Sequence, residues 1–215
     1  MSDPSEPGTS GASAAPPAFT ARDPGSPEFW SQRFERGYTP WDQAGVPAAF
    51  HAFAERHTDA AVLIPGCGSA WEAMWLASRG RQVRAIDFSP AAVDAARAVL
   101  GTHADVVEQA DFFAYRPPFE PDWIYERAFL CALPPASRAP YAQRMSELAS
   151  PGALLAGFFF IAETPKGPPF GMTHAELEQL LAPSFELIED QPVTGSIPVF
   201  EGRERWLTWR RRESR

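Results

Sequence analysis

Residues 62–87, VLIPGCGSAWEAMWLASRGRQVRAID, constrain the fold more than any other stretch of the chain. An apolar run, Val62 to Ile64, leads into the turn Gly66-Cys67-Gly68. A helical segment follows, and a second apolar run ends at Asp87. Strand, glycine turn, helix, strand and terminal acid form the nucleotide-binding half of a parallel α/β sheet. The glycines let the backbone approach a ligand closely. An acid about 20 residues further on is placed to accept hydrogen bonds from ribose hydroxyls. A dinucleotide fingerprint would carry a third glycine at position 71, for tight helix packing beside a pyrophosphate. This chain has Trp71 there. The turn therefore suits a nucleoside without phosphates, of which S-adenosylmethionine is the common one, and argues against a nicotinamide-dependent oxidoreductase. Glycines after a strand also serve purely structural ends, so the remaining chain must carry the rest.

Strands are expected at 61–64, 82–87, 105–108, 122–126 and 153–161, the last nearly all apolar as a strand buried on both faces should be. Helices are expected between them. Ser69 would cap the first, with Glu72 as capping-box partner. Ser89-Pro90 would start the next, which runs to Gly101. Two further helices are expected at 136–149 and 173–181. The last two strands, 185–189 and 203–210, have no helix between them and should run antiparallel. The expected fold is thus α/β: a Rossmann-like seven-stranded sheet of the class I methyltransferase type, last strand antiparallel, helices on both faces.

A chain of 215 residues, 45% of them hydrophobic, can bury one sizeable core. Residues 1–24 are rich in Pro, Ser, Gly and Ala and are expected to be a disordered tail. Residues 25–215 would form the domain, with 25–60 as an aromatic lid segment. The net charge of −8 speaks against a nucleic-acid partner. Arg210, Arg211, Arg212 and Arg215 are expected to be a solvated end. No long apolar run or signal peptide appears, so no membrane partner is expected. The two cysteines, Cys67 and Cys131, lack ligand spacing and suggest a reducing, cytoplasmic setting. The four scattered histidines give no metal motif. A monomer is expected.

Five blocks make the chain recognisable: FWSQRFERGYTPWDQAG (29–45), LIPGCGSAWEAMWLA (63–77), DFF (111–113), YERAFLCALPP (125–135) and GPPFGMT (167–173). In order and spacing the chain resembles the thiopurine S-methyltransferase family, and within it the halide/thiol methyltransferase branch. The resemblance implies S-adenosylmethionine as cofactor. It also implies that Trp30, Phe34 and Trp41 lie over the cofactor, and that Gly66 and Gly68 bring backbone against its amino-acid and ribose part. Asp87 would bind the ribose hydroxyls, and Asp111 with Phe112 would hold the adenine. Arg127 matches a position beside cofactor and substrate in the thiopurine branch. TPWD and PGCG follow the halide/thiol branch, so the chain mixes both signatures.

These residue types suit methyl transfer to sulfur. Aromatic faces attract a sulfonium cation by about 0.5–2 kcal/mol each. The same Trp30, Phe34 and Trp41 would equally serve to staple the N-terminal segment to the sheet. A thiol with a pKa near 8.5 needs no strong base. Arg127 would favour a bound thiolate or carboxylate, or else pair with Glu126 or another acid. Glu126 ends a strand where a base could sit. Phe170, in the GPPF loop, would either shape the substrate pocket or belong to a rigid connector. The expected acceptor is a small thiol, bisulfide, thiopurine or halide. The alternatives are O- or N-methylation of a small metabolite, which would require a base, and a non-catalytic module that holds the cofactor.

Overall fold

The computed structural model describes residues 17–213. Seven strands form one sheet in the order β3-β2-β1-β4-β5-β7-β6. They are β1 (Val62–Pro65), β2 (Val83–Asp87), β3 (Val107–Gln109), β4 (Trp123–Arg127), β5 (Leu154–Phe160), β6 (Phe185–Pro192) and β7 (Glu204–Arg211). Pairing is parallel from β3 to β5, whereas β7 runs antiparallel to both β5 and β6. The expected sheet and its antiparallel last strand are present. Chain order reverses between β1 and β4, and the crevice at such a switch point is where this class of sheet binds ligands.

Six helices flank the sheet among the described residues: α1 (Pro27–Glu35), α2 (Ala48–Arg56), α3 (Trp71–Ala77), α4 (Pro90–Leu100), α5 (Arg138–Leu148) and α6 (His174–Leu181). Local sequence starts three of them, α1 through Ser26, which accepts from Phe29 N ahead of Pro27. Ser89 accepts from Ala92 N with Pro90 in the first turn, and Thr173 with Glu176 forms a full capping box. Phe50, Phe53, Trp75, Trp123, Tyr125 and Trp206 pack one face of the sheet. Tyr141, Met145, Leu177, Phe185 and Trp209 pack the other. Among the described residues no helix is long and apolar enough to cross a membrane.

Three local expectations change. The helix after the glycine turn is not opened by a Ser69–Glu72 capping box. Ala70, at φ 58, occupies its N-cap position without a side-chain bond. Ser69 bonds to Asp42 instead, and Glu72 turns to Tyr125 and Arg127. A buried carboxylate gains more from a charged partner than from an exposed cap. Of the expected tail, residues 1–16 lie outside the described residues, but 17–24 are held on α1. Thr20 N and Ala21 N donate to Gln32 Oε1, and Trp30 Nε1 donates to Pro24 O. Phe19 meets Tyr38 at 5.5 Å and the Arg33 guanidinium at 4.3 Å. One aromatic in a polar tail suffices to dock it. At the other end, Arg211 and Arg212 are not simply solvated: they donate to the carbonyls of Ser146, Ala182, Ser184 and Phe185. Arg215 lies outside the described residues.

Candidate active site

A cavity of about 880 Å³ opens at the carboxyl ends of β1, β2 and β4 and is roofed by residues 17–43. Its size falls within the range of small-molecule sites, roughly 300–1,000 Å³.

The floor is backbone. Gly66 and Gly68 adopt φ +59 and +51, which favours glycine. A Cβ at Gly66 would run into the Phe129 ring. Beside them, Asp87 Oδ2 accepts from Gly68 N at 3.1 Å, and Oδ1 accepts from Ser89 N at 2.9 Å. Burial pushes the Asp87 carboxyl up to about 6, against those amide bonds, which favour its charge. Asp111 is exposed on the cavity wall and accepts from Phe113 N. Phe112 is buried between Phe113, Phe129 and Tyr141.

The roof is aromatic. Trp30 meets Trp41 edge-on at 5.4 Å, and Phe34 meets Trp41 at 6.2 Å. Asp42 ties this segment down, accepting from Ser69 Oγ and from Trp71 Nε1 at 3.0 Å. The residue standing in place of a third glycine thus clasps the roof to the turn. α1 is anchored separately, through the buried Ser31–Ser89 hydroxyl contact at 2.9 Å.

The far wall is an ion pair. Arg127 Nη1 lies 2.7 Å from Glu72 Oε1, which also accepts from Tyr125 OH at 3.1 Å. The partner is Glu72 on α3 and not Glu126. Burial opposes the Arg127 charge, yet Tyr125, Glu72 and Glu204 together raise its pKa above the ordinary value. Glu126 does not line the cavity. It is 1% exposed and accepts from Phe129 N, Leu130 N and Tyr141 OH, shaping the turn that carries Phe129. Burial pushes it up to about 7. A carboxylate so enclosed is a brace, not an accessible base.

The structure gathers Trp30, Phe34, Trp41, Gly66, Gly68, Asp87, Asp111, Phe112 and Arg127 around one cavity. Phe170 is not brought there. It faces a small void with Glu126, Cys131 and Met172, while Gly167, Pro168 and Pro169 line the cavity in front of it. Sequence reasoning missed Asp42 and Phe129, and gave Glu72 only a capping role. All three lie inside the recognisable blocks, but nothing local reveals their distant partners. Cys67 and Cys131 also border the cavity, and burial raises both thiols well above their usual value.

These residues fit a nucleoside bearing a sulfonium: open backbone at the turn, a carboxylate at the carboxyl end of the neighbouring strand, and aromatic faces for the cation. Fold and cavity together define a class I S-adenosylmethionine-dependent methyltransferase. The N1-methyltransferase for 1,6-didemethyltoxoflavin of Burkholderia thailandensis, solved with S-adenosylhomocysteine, shares the fold at a TM-score of 0.70. It is 18% identical, and the match covers 93% of this chain and 95% of that one. The probable thiol methyltransferase 2 of Arabidopsis thaliana is 29% identical over 188 residues, 82% of this chain and 83% of its own. The thiopurine S-methyltransferase of Pseudomonas fluorescens is 31% identical over 197 residues, 79% and 88% of the two chains. The profile of the thiopurine S-methyltransferase family matches residues 25–212. The chain belongs to the thiopurine S-methyltransferase family.

Proposed function

We propose that this protein methylates a small sulfur nucleophile. One observation carries the reading: each carboxylate that lines the cavity is held by protein groups or stands on the side proposed for the cofactor. Glu72 holds Arg127 and Tyr125, Asp87 holds two backbone amides, Asp42 holds Ser69 and Trp71, and Asp111 holds Phe113 N. An alcohol would need one of them as a base. A thiol, with a pKa near 8.5, sheds its proton to water without one.

When bound, S-adenosylmethionine supplies an electrophilic methyl: the acceptor sulfur forms the new S–C bond, and the pair of the broken bond stays on the cofactor sulfur. The protein's part is placement and exclusion of water. Trp30, Phe34 and Trp41 close over the cation and keep the corner dry. Gly66 and Gly68 let backbone meet the amino-acid part, Asp87 accepts from the ribose, and Asp111 with Phe112 holds the base. Arg127 borders the acceptor. The relatives' activities on thiols and thiopurines support the choice of sulfur. We place the protein in the cytoplasm as a monomer. The two cysteines are unbridged, which supports a reducing compartment.

The test is S-adenosylhomocysteine formation with alkanethiols, bisulfide, a thiopurine and iodide, each beside an oxygen or nitrogen analogue. Turnover on sulfur is expected. Turnover on the oxygen or nitrogen analogues alone would reject the reading.

A further inference from the structure

Arg127 faces the cavity at the exit of β4, and its charge is already matched. Its Nη1 lies 2.7 Å from Glu72 Oε1, and Glu72 is itself 7% exposed. Tyr125 donates to the same oxygen and fixes the carboxylate in place. Phe158 offers only its ring, 5.4 Å away. Beyond the short spacing of the pair, the fields of Arg127 and Glu72 largely cancel.

Such a corner treats acceptors unequally. An inorganic anion must shed its hydration to enter, and the protein's own side chains at this corner supply no net positive charge to offset that cost. An uncharged thiol loses little water and finds apolar contacts in Leu133, Pro134, Pro168, Pro169 and Phe200. A free arginine would reverse the preference, because an unmatched guanidinium attracts any small anion.

We propose that Glu72 determines acceptor specificity: by matching the Arg127 charge it reserves the pocket for uncharged thiols and turns away inorganic anions. This rests on the sulfur-acceptor reading above. It assigns Glu72 a role distinct from its contribution to stability, since the carboxylate's charge and not its shape is what discriminates.

Glu72→Gln keeps an oxygen for Tyr125 and Arg127 and removes only the charge. Kinetics with propanethiol, thiocyanate and iodide would be measured beside calorimetric binding of thiocyanate to the S-adenosylhomocysteine-loaded protein. Wild-type protein should favour propanethiol in kcat/KM. In the variant, the thiocyanate KM and Kd should fall about tenfold, and the ratio of thiocyanate to propanethiol kcat/KM should rise by about as much. Arg127→Gln, which leaves the Glu72 charge unmatched, should raise the thiocyanate KM and Kd by about threefold, and it serves if the first variant fails to fold. Unchanged thiocyanate constants in the folded variants, or a wild-type preference for thiocyanate or iodide, would overturn the proposal. Turnover on oxygen or nitrogen alone, with S-adenosylhomocysteine still bound, would instead reject the sulfur reading and the specificity claim with it.

Discussion

The two walls of the cavity are built by different means. On the glycine-turn side, backbone makes the site: Gly66 and Gly68 sit in left-handed conformations, and Asp87 is held by amides next to it in the fold. At the exit of β4, side chains from remote elements make it. Glu72 comes from α3 and Arg127 from β4, and behind them Tyr141 on α5 braces Glu126. The first wall is a local motif that any chain with that turn would reproduce. The second exists only once the sheet is assembled. In the function proposed above, cofactor binding rests on the local wall and acceptor choice on the assembled one.

The largest effect should come from the assembled wall. Glu126→Ala strands two buried amides and the Tyr141 hydroxyl, and should cost about 3–5 kcal/mol in urea denaturation. A loss under about 1 kcal/mol would mean the turn stands without its brace. On the local wall, Asp87→Ala should weaken S-adenosylhomocysteine binding about 100-fold by calorimetry, from the loss of charged hydrogen bonds. Unchanged affinity would remove Asp87 from the site.

The next effect separates the walls by pH. Asp87 and Glu126 both carry folded pKa values above their ordinary ones, about 6 and about 7. A carboxyl that binds its proton more tightly when folded stabilises the native state fully below its unfolded pKa, and loses that contribution as pH rises through the folded value. Denaturation from about pH 4 to about pH 8 should therefore show stability falling across that window. Glu126→Gln should flatten the upper part of the slope and leave the lower part, owed to Asp87. A slope unaltered by that substitution would assign the titration elsewhere.

The smallest effect tests the clasp between roof and floor. Trp71→Phe removes only the indole N–H bond to Asp42, and should weaken cofactor binding about threefold. A loss as large as that of Asp87→Ala would make the roof, rather than the glycine turn, the principal holder of the cofactor.

The strands, the glycine turn and Asp87 were legible because each is announced by neighbours in the chain: apolar runs, a turn that needs glycine, an acid at a strand end. The aromatic roof was legible too, since Trp30, Phe34 and Trp41 cluster within one short segment. Ser69 and Glu72 show the limit. Their spacing is that of a capping box, yet both were drawn away by Asp42 and by Arg127, which are remote in sequence. Phe170 shows it again, lying behind prolines that take the place expected for it.

The sequence by itself determined the fold class, because backbone conformation and hydrophobic period are local properties, and its family resemblance pointed to the cofactor and to nine of the residues around the cavity. Only the tertiary structure decided that Arg127 is matched by Glu72, that Glu126 is a brace and that residues 17–24 close the roof. Those outcomes depend on which charges meet once water is excluded, and burial strengthens such meetings far beyond any preference the neighbouring residues express.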